Sequence, residues 1–450
     1  MSRSVVQRGR SSNRRSGPLA LGQQASFWVS AGVVTHTFWT SAAPAMTYQL
    51  YAEEWRLTHT VTTGIFAIYP IVVVTILILF GDISDHIGRR TTMLLGLAAS
   101  LVGAFLFAVA PNALWLFAAR AFTGVGVGLT AGPSTAAMVE FSAEGRAKRA
   151  ASVTAAAQAF GFVAALLLGG ALTQYAPWPT HLSFWVLFAL IALLLAATWF
   201  LPRHVGGQVS SRWRPKVPSL PSGLRPAFAL ASIAVMTAYT HGVLILSLGG
   251  QVARDLVGSP DALINGAALS LFAITSGVLG IVARDLRPRP AMTLGAIASA
   301  AGMGLLAVSV AWHGLWIFLA ATATSGVGYS LLFLGGLALI NGVVPAQHRG
   351  GVLSALYLFA YLSLGIVALV LGVVATQRGL GLAVDLGAGV ITLFSLATIS
   401  LLATLRNAVP RNDGDVDYPF FDSATSPQPP LHGDDVPTAP ILGADCGKSA

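Results

Sequence analysis

Long apolar runs alternate with short polar, glycine-bearing turns along most of the chain. Twelve runs stand out, at 26–48, 60–80, 91–110, 113–138, 151–174, 182–201, 227–249, 265–283, 291–310, 315–340, 352–375 and 382–404. Runs of ~20 apolar residues cross ~30 Å of hydrocarbon as helices. Lipid offers no partner to the open edge of an isolated strand, and the ~10-residue alternating segments of a barrel do not occur here. The pattern predicts an all-α membrane protein of twelve transmembrane helices.

The polar turns carry a second pattern. Gly81-Asp82-Ile83-Ser84-Asp85-His86-Ile87-Gly88-Arg89-Arg90 separates runs two and three. A worn copy, Gly280-Ile281-Val282-Ala283-Arg284-Asp285-Leu286-Arg287-Pro288-Arg289, separates runs eight and nine. Leu114-Trp115-Leu116-Phe117 and Gly124-Val125-Gly126 of run four return as Leu315-Trp316-Ile317-Phe318 and Gly326-Val327-Gly328 of run ten. The repeat implies two pseudo-symmetric six-helix bundles, an architecture used by secondary transporters. The expected divisions are a basic tail (1–24), a first half (25–202), a linker (203–226), a second half (227–406) and a disordered tail (407–450).

Composition agrees with lipid as the main solvent. Hydrophobic residues make up 55% of the chain, charged residues 10%, and mean hydropathy is +0.72; a soluble domain carries roughly a quarter charged residues. Among the 26 Lys and Arg, Arg120 lies inside a run and Arg56, Arg254 and Arg378 in turns on one side. All the others sit in the tails and in turns on the other side, including Arg3, Arg8, Arg10, Arg14 and Arg15 before run one, and Arg203, Arg212, Arg214, Lys216 and Arg225 among prolines in the linker. The positive-inside rule then places both termini in the cytoplasm of a multi-pass plasma (inner) membrane protein. Spread through short turns, these charges make no nucleic-acid-binding face. Cys446 is the sole cysteine, which rules out an intrachain disulfide. The tail beyond 407 sets Asp413, Asp415, Asp417, Asp422, Asp434 and Asp435 among prolines and has little apolar surface to bury. There is no phosphate-binding Gly-rich loop ending in Lys-Ser/Thr, no metal-ligand cluster and no nucleophile triad, so neither cofactor nor metal is expected and the chain does not read as an enzyme.

The chain resembles the major facilitator superfamily over roughly residues 25–405, nearest to its drug/proton antiporter-like branch. Gly81, Asp85, Gly88, Arg89 and Arg90 match the loop motif Gly-x-x-x-Asp-x-x-Gly-Arg-Lys/Arg. Arg120, Gly124 and Gly126 match Arg-x-x-x-Gly-x-Gly, with Thr123 where the family often has Gln. In run five Gly161, Gly169 and Gly170 remain, but the proline typical of the antiporters is absent. The resemblance implies that the first hairpin is a charge clasp holding the cytoplasmic gate shut when the carrier opens outward.

Residue chemistry suggests further roles, each with a plainer reading beside it. Asp85 can cap the helix that follows it, and Arg89 and Arg90 can pair with it or with the facing half; a tight turn with positive-inside arginines is the plain alternative. Glu140, Glu144, Arg146, Lys148 and Arg149, answered by Arg349, read as a gate network or a solvated loop. A cation inside a run, such as Arg120, costs several kcal/mol in order of magnitude and marks a working site unless it snorkels. His36 and His241 occupy related places in runs one and seven and read as proton-coupling groups or as helix–helix contacts. Trp39, Tyr69, Gln158, Tyr239, Tyr329, Tyr357 and Tyr361 read as cavity lining or as packing. No acidic residue sits mid-run: Glu53, Glu54, Glu140 and Asp385 all fall at run ends. That disfavours cationic substrates. The expected function is secondary active transport of a small organic solute by a monomer, with proton-coupled efflux as the leading form. A uniporter or importer of a neutral or anionic metabolite is the alternative, and a non-transporting membrane sensor or scaffold the remote one.

Overall fold

A computed structural model of the chain describes residues 21–81, 83–142, 147–202, 224–344 and 346–407. The basic tail up to residue 20, linker residues 203–223 and the acidic tail from 408 lie outside the described residues, as do Glu144 and Arg146 and the side chains of Lys148 and Arg349.

Among the described residues, twelve long helices carry the fold. They are α1 (Gln23–Ala42), α2 (His59–Phe80), α3 (Arg89–Ala108), α4 (Ala113–Glu140), α5 (Ala147–Tyr175) and α6 (Leu182–Trp199), then α7 (Arg225–Gly242), α8 (Ala262–Val282), α9 (Pro288–Ala311), α10 (Leu315–Val343), α11 (Ala346–Arg378) and α12 (Leu380–Asn407). The described residues contain no strand. Eleven of the twelve are long and apolar enough to cross a membrane. The remaining one, α1, is made more polar by Ser26, Ser30, His36, Thr37 and Thr40, all turned into the protein. Local chemistry starts several helices: Thr58, Asn112 and Asp261 each accept a hydrogen bond from a backbone N–H in the first turn of α2, α4 and α8, a cap worth ~1 kcal/mol.

Two boundaries differ from the sequence pattern for identifiable reasons. The first run stops at Ala42, because Pro44 opens a 3₁₀ turn over Ala43–Met46 before a short helix, Tyr48–Glu54. Its counterpart α7 stops at Gly242 and continues through π-helical turns at Val243–Ser247 and Val252–Leu256. Asp85 does not cap α3. Residues Ile83–Ile87 form their own short helix, and Gly88, at φ 88°, turns the chain into Arg89. A positive φ of that size favours glycine.

The same packing occurs in both halves. The seams α3–α4, α2–α4, α1–α4, α1–α5 and α3–α6 are matched by α9–α10, α8–α10, α7–α10, α7–α11 and α9–α12. The repeated Gly-x-Gly explains part of this. A methyl group on Gly126 would strike Ser100 of α3, and one on Gly328 would strike Ser299 of α9. Gly124 and Gly326 give the same clearance to α2 and α8. The halves meet along two related seams, α2 with α11 and α5 with α8.

Candidate functional site

Arg120 lies in the third turn of α4 and is fully buried, so it does not snorkel. Its Nε donates to the Tyr48 hydroxyl at 2.8 Å and one Nη to the Ser41 carbonyl at 3.1 Å. The rings of Tyr48, Phe66, Tyr69 and Phe107 surround the guanidinium at 5.2–6.0 Å. Ring faces attract cations, more strongly where water is excluded. Among the described residues no carboxylate pairs with it, and its second Nη has no partner. Tyr48, Phe66 and Phe107 are neighbours of Arg120 that the sequence did not announce: each looks like an ordinary core aromatic, and only packing brings them to one cation.

His36 and His241 are also fully buried. His36 Nδ1 lies 3.3 Å from the Val33 carbonyl and His241 Nδ1 2.9 Å from the Thr237 carbonyl. Bonding to a carbonyl puts the proton on Nδ1 and leaves Nε2 as an acceptor. Both Nε2 atoms lack a partner. Neither imidazole shares a hydrogen bond with Arg120.

Four of the five tyrosines named from sequence gather in the second half, and Tyr69 of α2 meets them from the first. Tyr239 of α7 stands edge-on to Tyr361 of α11 at 4.9 Å and lies 6.4 Å from Tyr357. Tyr329 of α10 stacks on Phe333 at 6.0 Å and lies 5.3 Å from Phe272 of α8, which faces His241. Tyr361 packs with Tyr69 and Val73 of the first half. Trp39 is half-buried on α1 and packs on the main core, and Gln158 is half-buried on α5.

The two ends of the bundle are built differently. At the hairpin end, Arg89 pairs with Glu140 of α4 at 2.5 Å, within the first half. Arg90 lies 5.5 Å over the Trp199 ring. Asp85 is exposed and forms no ion pair among the described residues; Gly81 and Gly88 flank its short helix. In the worn copy, Arg284 reaches across to Ser152 of α5 at 2.7 Å. Arg149 is exposed and lies 6.0 Å from the Phe27 ring.

The opposite end is tied between halves. Glu53 pairs with Arg254. His59 Nδ1 lies 2.9 Å from Gln251 Oε1. Thr60 bonds Thr376 at 2.9 Å, and Gln174 Oε1 accepts from the Ala262 N–H at 2.8 Å. Gly170 and Gly266 bring α5 and α8 into backbone contact beside that bond. Nearby, the buried Tyr51 phenol donates to the Thr180 carbonyl at 2.7 Å; burial first, and then the Glu54 charge, hold its pKa above the usual value. No group of three or more metal-ligating side chains occurs among the described residues.

Comparison with known proteins places this geometry in a family. The profile of the Major Facilitator Superfamily matches residues 28–284, more than half of the chain. The multidrug efflux pump LfrA of Mycolicibacterium smegmatis is 32% identical over 30% of this chain and 27% of its own length. The chain thus aligns with about a quarter of the first curated relatives. The class E tetracycline resistance protein of Escherichia coli is 25% identical over 65% of this chain and 73% of its own. Among solved structures, a POT family transporter in complex with 5-aminolevulinic acid superposes with a TM-score of 0.69 over 85% of this chain and 96% of its own, at 12% identity. That likeness is one of fold.

Proposed function

This chain belongs to the Major Facilitator Superfamily, and from that premise we propose that it is a secondary active transporter of a small organic solute, moving it by proton-coupled efflux through alternating access. The first half, 25–202, and the second, 227–406, rock about the α2–α11 and α5–α8 seams, with 203–226 joining them. The arginine-rich hairpin end and both termini face the cytoplasm, as the positive-inside bias supports. In the present conformation the end tied by Glu53–Arg254, His59–Gln251 and Thr60–Thr376 is closed. Opening it breaks those contacts and lets the Gly81–Arg90 hairpin close the other end.

The observation that carries this reading is Arg120. A buried cation without a carboxylate is costly, and an apolar side chain would pack there at less cost. Its free Nη and the free Nε2 of His36 and His241 are polar groups left for something that comes and goes. Arg120 serves the solute or the coupled proton, and the two imidazoles carry the proton. The same lack of a buried carboxylate favours a neutral or anionic solute. Relatives named as a multidrug efflux pump and a tetracycline resistance protein support export.

The test is flux in proteoliposomes of the purified protein under an imposed pH gradient. Protein-dependent, gradient-driven movement of a solute is expected. Solutes that stabilise the protein but never cross would replace the carrier by a membrane sensor. A membrane-impermeant maleimide tests orientation through Cys446, which it should label in inverted vesicles and not in intact cells.

A further inference from the structure

Tyr239, Tyr329 and Tyr361 each touch two of the separate apolar clusters of the protein, and all three remain half-buried. They stand where separate apolar clusters adjoin, and Tyr361 does so against Tyr69 and Val73 of the first half. The hydroxyls of Tyr329 and Tyr357 form no hydrogen bond with another described residue, yet neither oxygen is fully enclosed. Buried phenols normally find a partner. Here two phenols lack one while keeping some accessible surface, and both belong to one aromatic group.

Charge decides what fits. The described acidic residues lie at the two ends of the bundle, with Glu53, Glu54, Asp255 and Asp261 at one and Asp85, Glu140 and Asp285 at the other, except Asp385, which is exposed on α12. The charge near the tyrosines is Arg120, whose guanidinium lies 5.2 Å from the Tyr69 ring; Tyr69 packs against Tyr361. A cation would gain the ring faces but face this like charge in a low-dielectric interior without a counter-ion. An uncharged or anionic ring system gains the aromatic contacts without that opposition.

Resting on the transport reading above, we propose that the solute is a planar aromatic molecule, neutral or anionic, held against the Tyr239–Tyr357–Tyr361 group. Edge-to-face and stacked contacts hold its ring, and Tyr329 and Tyr357 supply hydroxyl hydrogen bonds to its polar substituents. Tyr239 is the specificity-determining residue, because its ring meets both Tyr361 and Tyr357.

A matched probe set tests this: 2-naphthol, 2-naphthalenesulfonate, trimethyl(naphthyl)ammonium and the saturated 2-decalol, each in equilibrium binding to the purified full chain. Naphthol and the sulfonate should bind about tenfold more tightly than the ammonium and the decalol, in line with one good aromatic contact. Tyr239→Leu should remove that preference, Tyr239→Phe should keep it, and Tyr357→Phe should weaken naphthol a few-fold. Equal or tighter binding of the ammonium, or equal binding of decalol, overturns the proposal on the wild-type protein alone, whether or not the leucine variant folds. Flux of the same probes separates the two readings. Aromatic preference without flux removes the carrier and leaves the site; flux of other solutes without aromatic preference removes the site and leaves the carrier.

Discussion

Glu53, in the last turn of the short helix after α1, forms an ion pair with Arg254 in the π-helical turn beyond α7, and so ties one half of the bundle to the other. Both side chains are about half exposed, at 54% and 40%, and a pair so exposed is worth ~0–1 kcal/mol. A latch of that strength holds a conformation without freezing it. Glu53→Gln should therefore raise the population open at this end by up to about fivefold. A cysteine placed by Ala262→Cys in a Cys446→Ser background reports the change as faster thiol labelling from that side. An unchanged rate removes the ion pair from the gate.

The glycine contact beside it predicts a larger effect. A methyl group on Gly170 would lie 2.6 Å from the Ala262 carbonyl oxygen. Backbone on both sides leaves little room to yield, and overpacking of this kind costs about 1–3 kcal/mol. Gly170→Ala should keep this end from closing, speed labelling at residue 262 more than Glu53→Gln does, and depress flux without lowering the amount of protein in the membrane. Wild-type flux would show that the seam tolerates the extra volume.

How far the sequence reaches is clear from these elements. Apolar length and the repeated hairpins sufficed for twelve helices in two related halves, because lipid imposes a uniform rule on every span. Local geometry broke the pattern where Pro44 stopped α1 and where residues 83–87 made a helix of their own. The sites divide in the same way. Arg120 stands out as a charge within an apolar run, but Tyr48, Phe66 and Phe107 come from three other elements and look like any core aromatic. Glu53 and Arg254 look like loop charges until the halves are brought together.

Asp85 offers a test of the hairpin. In this conformation it is exposed and without an ionic partner among the described residues, while Arg89 is engaged by Glu140 at 2.5 Å. A clasp that forms only when this end closes would use Asp85 in the other state. Asp85→Asn should then leave thermal stability in the present state within about 0.5 kcal/mol, as for a surface substitution, and reduce flux several-fold. Normal transport by Asp85→Asn would end the clasp reading.

The imidazoles make a prediction about pH. His36 and His241 each give Nδ1 to a helix carbonyl and keep Nε2 free. A proton arriving at Nε2 charges the ring inside the bundle, where charge is costly, so such protonation has to be coupled to a change of conformation or to solute leaving. Replacing both by Gln should flatten the dependence of flux on pH between about 5 and 8, the interval in which histidine usually titrates. A retained profile would assign the proton elsewhere.

Arg120 permits a sharper separation of stability from function. A conservative Arg120→Lys keeps the charge but cannot reach both the Tyr48 hydroxyl and the Ser41 carbonyl in the present fork geometry. Arg120→Met removes the charge and leaves a flexible apolar chain among four rings, where thioether–aromatic contacts are worth ~0.3–1.5 kcal/mol each. Replacing a buried charge by an apolar side chain of similar volume is often neutral or stabilising. Arg120→Met should accordingly melt at or above the wild-type temperature and yet carry no gradient-driven solute, whereas Arg120→Lys should lose both stability and flux. If the methionine variant is stable and transports like the wild type, the guanidinium is a packing element and the coupling role falls. If it unfolds, the four rings depend on the cation to hold them, and the role of Arg120 is structural first.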